Sequence, residues 1–105
     1  MSVSHAVWNG FDARGELRDS VYHRAGATLD NGAALPLLIV NISPSGLMAR
    51  STEPLAPGAT LAIALPVVGR VRAEVRWALG GRVGCQLERS IPSSRYYEML
   101  AALTR

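Results

Sequence analysis

Two short stretches hold residues whose types and spacing suit the recognition of anions and bases. "RGELR" sets Arg14 and Arg18 four apart, and "NISPSG" sets Asn41, Ser43 and Gly46 at one corner together with Pro44 and Ser45. A guanidinium is a planar fork of donors that matches phosphate oxygens and the O6/N7 edge of guanine. An amide, a hydroxyl and bare backbone add shorter-range hydrogen bonds. As structure alone, the corner reads as a strand end and a turn. Pro44 pre-sets φ, Gly46 supplies a conformation that other residues resist, and Asn41 and Ser43 bond the local backbone. A turn needs fewer such residues than stand here. If the N-terminal segment lies along the same rim, two guanidinium forks face this polar patch, and a base bearing phosphates fits between them.

Catalytic and metal constellations are thin. His5 and His23 are far from each other and from Cys85, and match no metal-ligand spacing, so no metal site is expected. Ser43 lacks the glycine elbow of a hydrolase nucleophile, and neither His has an evident acid partner. "EPLAPGAT" lacks the Lys and the strand-loop-helix context of a phosphate cradle. Binding, not catalysis, is the expected class, with no cofactor.

These residues must be positioned by a small scaffold. A chain of 105 residues, 49% hydrophobic and 18% charged, has room for one domain with one core. Its formal charge is +3, and all eleven basic side chains are arginines. The single cysteine cannot form an internal disulfide. With no signal-peptide run and no span-length apolar stretch, a cytoplasmic protein without membrane insertion is expected.

Residues 1–20 lack periodicity and read as a loose N-terminal segment carrying the Arg pair; residues 21–105 read as the folded unit. Val21 to Leu29 suits a first strand, closed by the hairpin signal "DNG". "LPLLIVNI" is its partner, a continuous apolar run that predicts burial on both faces or cover from another element. "GLMAR" and "TLAIALP" supply two more strands. "RVRAEVRWAL" alternates cleanly, with Val71, Ala73, Val75, Trp77 and Leu79 predicted inward and Arg70, Arg72, Glu74, Arg76 and Ala78 outward. A "GG" turn leads into "RVGCQLE", where Val83, Cys85 and Leu87 continue the inward set. Beyond Pro92, Tyr96, Met99, Leu100 and Leu103 recur at helical spacing, with Ser93 or Ser94 as N-cap and Glu98 placed for the helix dipole. The expected fold is all-β: a small six-stranded antiparallel barrel with a short C-terminal helix.

The pair R-x-x-x-R at Arg14 and Arg18, followed twenty-three residues later by [D/N]-x-S-x-x-G at Asn41, Ser43 and Gly46, resembles the signature of PilZ domains, bacterial receptors for cyclic di-GMP. The resemblance runs from about residue 14 to 100 and includes the hairpin "AEVRWALGGRVGCQLE". It implies that Arg14 and Arg18 grip guanine Hoogsteen edges and phosphates, that Asn41 and Ser43 address the other guanine edge, and that Gly46 lets the backbone approach. Asn41 stands where the family more often has Asp, and Asp12 and Ala13 stand where many members have further arginines. Arg24, six residues after Arg18, reads either as an assisting ligand contact or as a solvated strand residue, the second being preferred. The expected function is a single-domain cyclic di-GMP effector that signals to an unidentified downstream protein as its N-terminal Arg segment becomes ordered. The alternative is a PilZ-like adaptor that acts by protein contact without nucleotide; a broken motif would mark it, and both motifs are intact. A barrel for single-stranded nucleic acid needs several exposed aromatics for stacking, and two of the few here fall in the predicted helix, so no nucleic-acid partner is expected.

Overall fold

The computed structural model describes residues 16–104. Six strands follow in order, β1 (Asp19–Leu29), β2 (Ala34–Ser43), β3 (Gly46–Arg50), β4 (Thr60–Leu65), β5 (Gly69–Leu79) and β6 (Arg82–Leu87), and then one helix, α1 (Ser93–Leu103). They close into an antiparallel barrel in the order β1-β2-β3-β6-β5-β4. The all-β expectation with a C-terminal helix is thus met, and β1 begins two residues before Val21.

Alternation explains the interior. Leu35, Leu37, Ile39, Ile42, Leu47, Leu61, Ile63, Val75, Val83 and Cys85 fill it with almost no exposure, and α1 adds Tyr96, Met99 and Leu103. Each such aliphatic side chain contributes roughly 1.5–3 kcal/mol through removal from water. The apolar run of β2 is not buried on both faces. Leu35, Leu37 and Ile39 point inward while Pro36 is exposed and Leu38 and Val40 are half-exposed.

Turn chemistry matches the hairpin signals. Between β1 and β2, Gly32 adopts φ +88°, and the Asn31 side chain accepts from the Ala33 amide at 2.9 Å. Between β5 and β6, Gly80 and Gly81 both have positive φ, which is what a two-residue type I′ turn requires.

Three β-bulges interrupt the pairing register. They fall between Ser20 and His23 in β1, between Ile39 and Asn41 in β2, and between Val75 and Trp77 in β5. In β2 and β5 the extra residue reverses the phase of everything beyond it, because side chains along a strand have a period of two, whereas β1 alternates without a break from Asp19 to Ala27. The inward set expected for β5 is corrected on this ground. Past the bulge Ala78 pairs with the buried Val83, whereas Trp77 pairs with Gly84 and Leu79 with Arg82 on the outer face. Leu79 is 79% exposed.

The helix start also differs from expectation. Pro92, at φ −58° and ψ 145°, occupies the N-cap without a side-chain cap bond. Its carbonyl accepts from the amides of Arg95 and Tyr96 at 2.9 and 2.8 Å, so Ser93 and Ser94 already belong to the helix. A proline has the right φ and needs no amide partner there. Glu98 lies beyond the first turn and pairs with Arg95 at 3.5 Å instead of serving the dipole.

Candidate functional site

The bulge in β2 aims the candidate site. Ile39 faces inward opposite Ala49, and Ile42 faces inward opposite Leu47. Without the extra residue Asn41 would share the inward phase of Ile39. With it, Asn41 pairs with Met48 and Ser43 with Gly46 on the outside of the barrel. Bulges re-aim side chains in this way beside functional sites in many sheets.

Asn41 is half-buried and incompletely satisfied. Its Nδ2 donates to the Met48 sulfur at 3.8 Å, a weak bond, while its Oδ1 is buried with no hydrogen-bond partner among the described residues. An acceptor in that state costs about 1–3 kcal/mol, so a ligand bringing an N–H to it gains on both counts.

Ser43 is the one buried polar residue among those described, with 1% exposure, and its hydroxyl donates to the Gly46 carbonyl at 3.3 Å. Gly46 sits in β3, buried, between Ser43 and Gln86. It is not among the positive-φ glycines, so the conformational role expected for it is replaced by a packing one. It leaves no side chain beside the Ser43 hydroxyl.

The turn between β2 and β3 is a junction of several segments. The Ser45 carbonyl accepts from the Leu87 amide at 2.8 Å, and the Pro44 carbonyl accepts from the Ile91 amide at 2.9 Å. The Ser45 hydroxyl donates to the Glu16 carboxylate. This accounts for the abundance of small polar residues at the corner: their backbone and hydroxyl groups receive chain from β6, from the approach to α1 and from the segment leading into β1.

That last contact locates Arg18. Asp19 pairs with Ile42 and Ser20 with Asn41, so Arg18 immediately precedes the strand end that is paired with the corner. Its Nη1 is buried. The structure therefore brings Arg18, Asn41, Ser43 and Gly46 to one corner on the outer face; Arg14 lies outside the described residues. Ser45 belongs to the corner already read in the sequence, whereas Glu16 and Asp19 are site neighbours to which sequence reading gave no role, since nothing in their spacing marks them.

Asp19 is held from inside. The Tyr96 hydroxyl of α1 donates to its carboxylate at 2.6 Å and also reaches the Ile42 carbonyl at 3.0 Å. Burial, together with the Asp19 carboxylate, raises the Tyr96 hydroxyl well above its ordinary range. Across the outer face, the row that starts at Asn41 continues through Met48 and Gly84 to Trp77. The indole covers Gly84, where any Cβ would overlap the ring. Among the described residues no cluster of His, Cys, Asp and Glu could hold a metal ion, and no helix is long and apolar enough to cross a membrane.

With this geometry in hand, comparison with protein families decides the classification: the PilZ domain model matches residues 12–104, which includes both Arg14 and the whole corner. The chain belongs to the PilZ domain family. PilZ domains are ligand-binding receptor domains for cyclic di-GMP and are generally not enzymes. No curated protein matches the chain. In this PilZ domain the first motif leads directly into β1, and the second straddles the β2–β3 turn, so the β1–β2 pairing brings the start of β1 to the corner although the two are more than twenty residues apart in sequence.

Proposed function

We propose that this PilZ domain binds cyclic di-GMP at the β2–β3 corner through Arg14, Arg18, Asn41, Ser43 and Gly46, and passes the signal to a partner protein through the segment ahead of β1. The observation that carries the reading is the outward Asn41 acceptor, unsatisfied among the described residues, on the edge of β2 that pairs with the start of β1 just after Arg18. Guanine presents N–H donors on its Watson–Crick edge and O6 and N7 acceptors on its Hoogsteen edge, so one base can satisfy both side chains. Charge-assisted bonds contribute on the order of 1.5–3 kcal/mol each, and micromolar affinity needs only about 8 kcal/mol net.

The Glu16 contact supplies the switch. A carboxylate bound at Ser45 and the phosphates of an arriving dinucleotide repel one another, so occupancy displaces Glu16 and re-lays the segment leading into β1. Calorimetry tests the site. The wild-type chain binds cyclic di-GMP, and Arg14→Ala and Arg18→Ala each weaken it at least tenfold. Undiminished binding by both variants overturns the assignment. The burial of Ser43 favours a second reading, an adaptor that works by protein contact alone; absence of any binding heat for the wild type selects it.

A further inference from the structure

A second feature of the outer face lies next to the proposed nucleotide corner. Arg24 pairs with Leu38, Leu38 with Arg50, Arg50 with Arg82, and Arg82 with Leu79. Cross-strand partners share a face, so these five side chains form one outward row across β1, β2, β3, β6 and β5. Arg24, Arg50, Leu79 and Arg82 are exposed, Leu38 is half-exposed, and the row borders a groove of about 570 Å³ that includes Pro36 and Gly80.

Among the described residues the charges of the row have no counter-charge. Elsewhere on the barrel Arg72 pairs with Asp30 and Glu88, and Arg76 with Glu74. Among the described residues, Arg24, Arg50 and Arg82 have no carboxylate partner. Arg50 and Arg82 even stand directly opposite each other, a like-charge pair that destabilises a sheet unless a counter-charge arrives.

We propose that this row is the docking surface for an acidic amphipathic helix of a partner protein. Adjacent strands are spaced ~4.8 Å apart, close to the ~5.4 Å pitch of an α-helix. A helix laid across the strands meets the row once per turn. The sequence Arg, Leu, Arg, Arg, Leu then calls for Glu, Leu, Glu, Glu, Leu at positions i, i+4, i+7, i+11 and i+14 on one stripe. Carboxylates face the three guanidinium groups, and the two leucines cover Leu38 and Leu79.

The row also adjoins the corner. Met48 and Arg50 are two apart on β3, as are Gly84 and Arg82 on β6, which separates the rows by ~7 Å. A helix seated here borders any occupant of the corner, which makes this face the natural reader of ligand state. The inference deepens the proposed receptor role by naming the partner's chemistry.

The test uses a fluorescein-labelled peptide carrying that stripe in an Ala/Gln background, titrated with the full chain and read by anisotropy. Saturable binding is expected, weakened at least tenfold by Arg50→Gln combined with Arg82→Gln, and equally when the three Glu of the peptide become Gln. Calorimetry on the same double variant should show cyclic di-GMP binding unchanged, so loss of nucleotide binding by the wild type alone would fault the receptor reading and leave this one standing. Failure of the peptide to bind, or binding indifferent to either change, overturns the docking surface. So does loss of cyclic di-GMP affinity in the double variant, which would assign these arginines to the nucleotide, or tighter Arg50- and Arg82-dependent binding of oligo-dT than of the peptide.

Discussion

The Tyr96 hydroxyl donates to the Asp19 carboxylate at 2.6 Å across 77 positions of sequence, tying α1 to the first residue of β1. The bond comes one residue after Arg18, so the helix fixes the point from which that guanidinium departs. Removing the hydroxyl leaves a carboxylate short of a donor and the Ile42 carbonyl with one contact fewer. Tyr96→Phe should cost about 1–3 kcal/mol, or a fall of about 4–8 °C in Tm per kcal/mol for a domain of this size. It should weaken cyclic di-GMP binding more than an equally destabilising core change such as Met99→Ala. Thermal melts paired with calorimetry check both.

Asn41 should behave as a residue kept for a ligand at a cost to the empty fold. Its buried Oδ1 has no partner among the described residues, so Asn41→Ala removes an unsatisfied acceptor, and the Tm of the unliganded protein should stay level or rise. Cyclic di-GMP affinity should fall at least tenfold. A substitution that lowers Tm and leaves affinity alone would make Asn41 a structural residue.

Alkaline stability follows from two buried acids. Burial pushes the Cys85 thiol from 9.0 up to about 12, and burial with the Asp19 carboxylate raises Tyr96 above its ordinary 10.0. Both folded values exceed the unfolded ones. Stability is therefore fully present below pH 9 and is lost as pH rises from 9 toward 12, because the unfolded chain releases protons that the folded one retains. The slope approaches roughly 1.4 kcal/mol per pH unit for each such group. Urea unfolding at pH 8, 9, 10 and 11 should show the decline, and Cys85→Val should flatten it between 9 and 10, before tyrosine titration begins.

Gly84 should tolerate no side chain while Trp77 lies over it. Gly84→Ala places a Cβ into the indole and should cost about 1–3 kcal/mol as the ring is forced aside. In a Trp8→Phe background the fluorescence of Trp77 should shift to the red. The double change Gly84→Ala with Trp77→Ala should recover part of the loss, since the clash goes with the ring.

Legibility of the fold varied with the kind of signal. The strands of "TLAIAL" and "RVGCQL" read correctly because one face is apolar throughout and each is bounded by Gly or Pro. "DNG" and "GG" located their hairpins because positive φ is nearly the property of Gly and Asn alone. The two motifs of the corner could be picked out as residue types, but the contacts that assemble it could not. Glu16 at Ser45, Tyr96 at Asp19 and the Ile91 amide at Pro44 are made by residues with no distinguishing pattern around them.

The sequence by itself determined the number of strands, their hairpin connections, the helix and the identities of the polar residues at the corner, because hydrophobic period and turn chemistry are local properties. Only the tertiary structure decided which way those residues face. A bulge adds one residue against a partner strand, and a period of two cannot absorb it, so Asn41, Trp77 and Leu79 turn outward for a reason that lies in the neighbouring strand. The row of Arg24, Arg50 and Arg82 has the same origin: residues scattered along the chain became neighbours through cross-strand register, which exists only once β1, β2, β3 and β6 have paired.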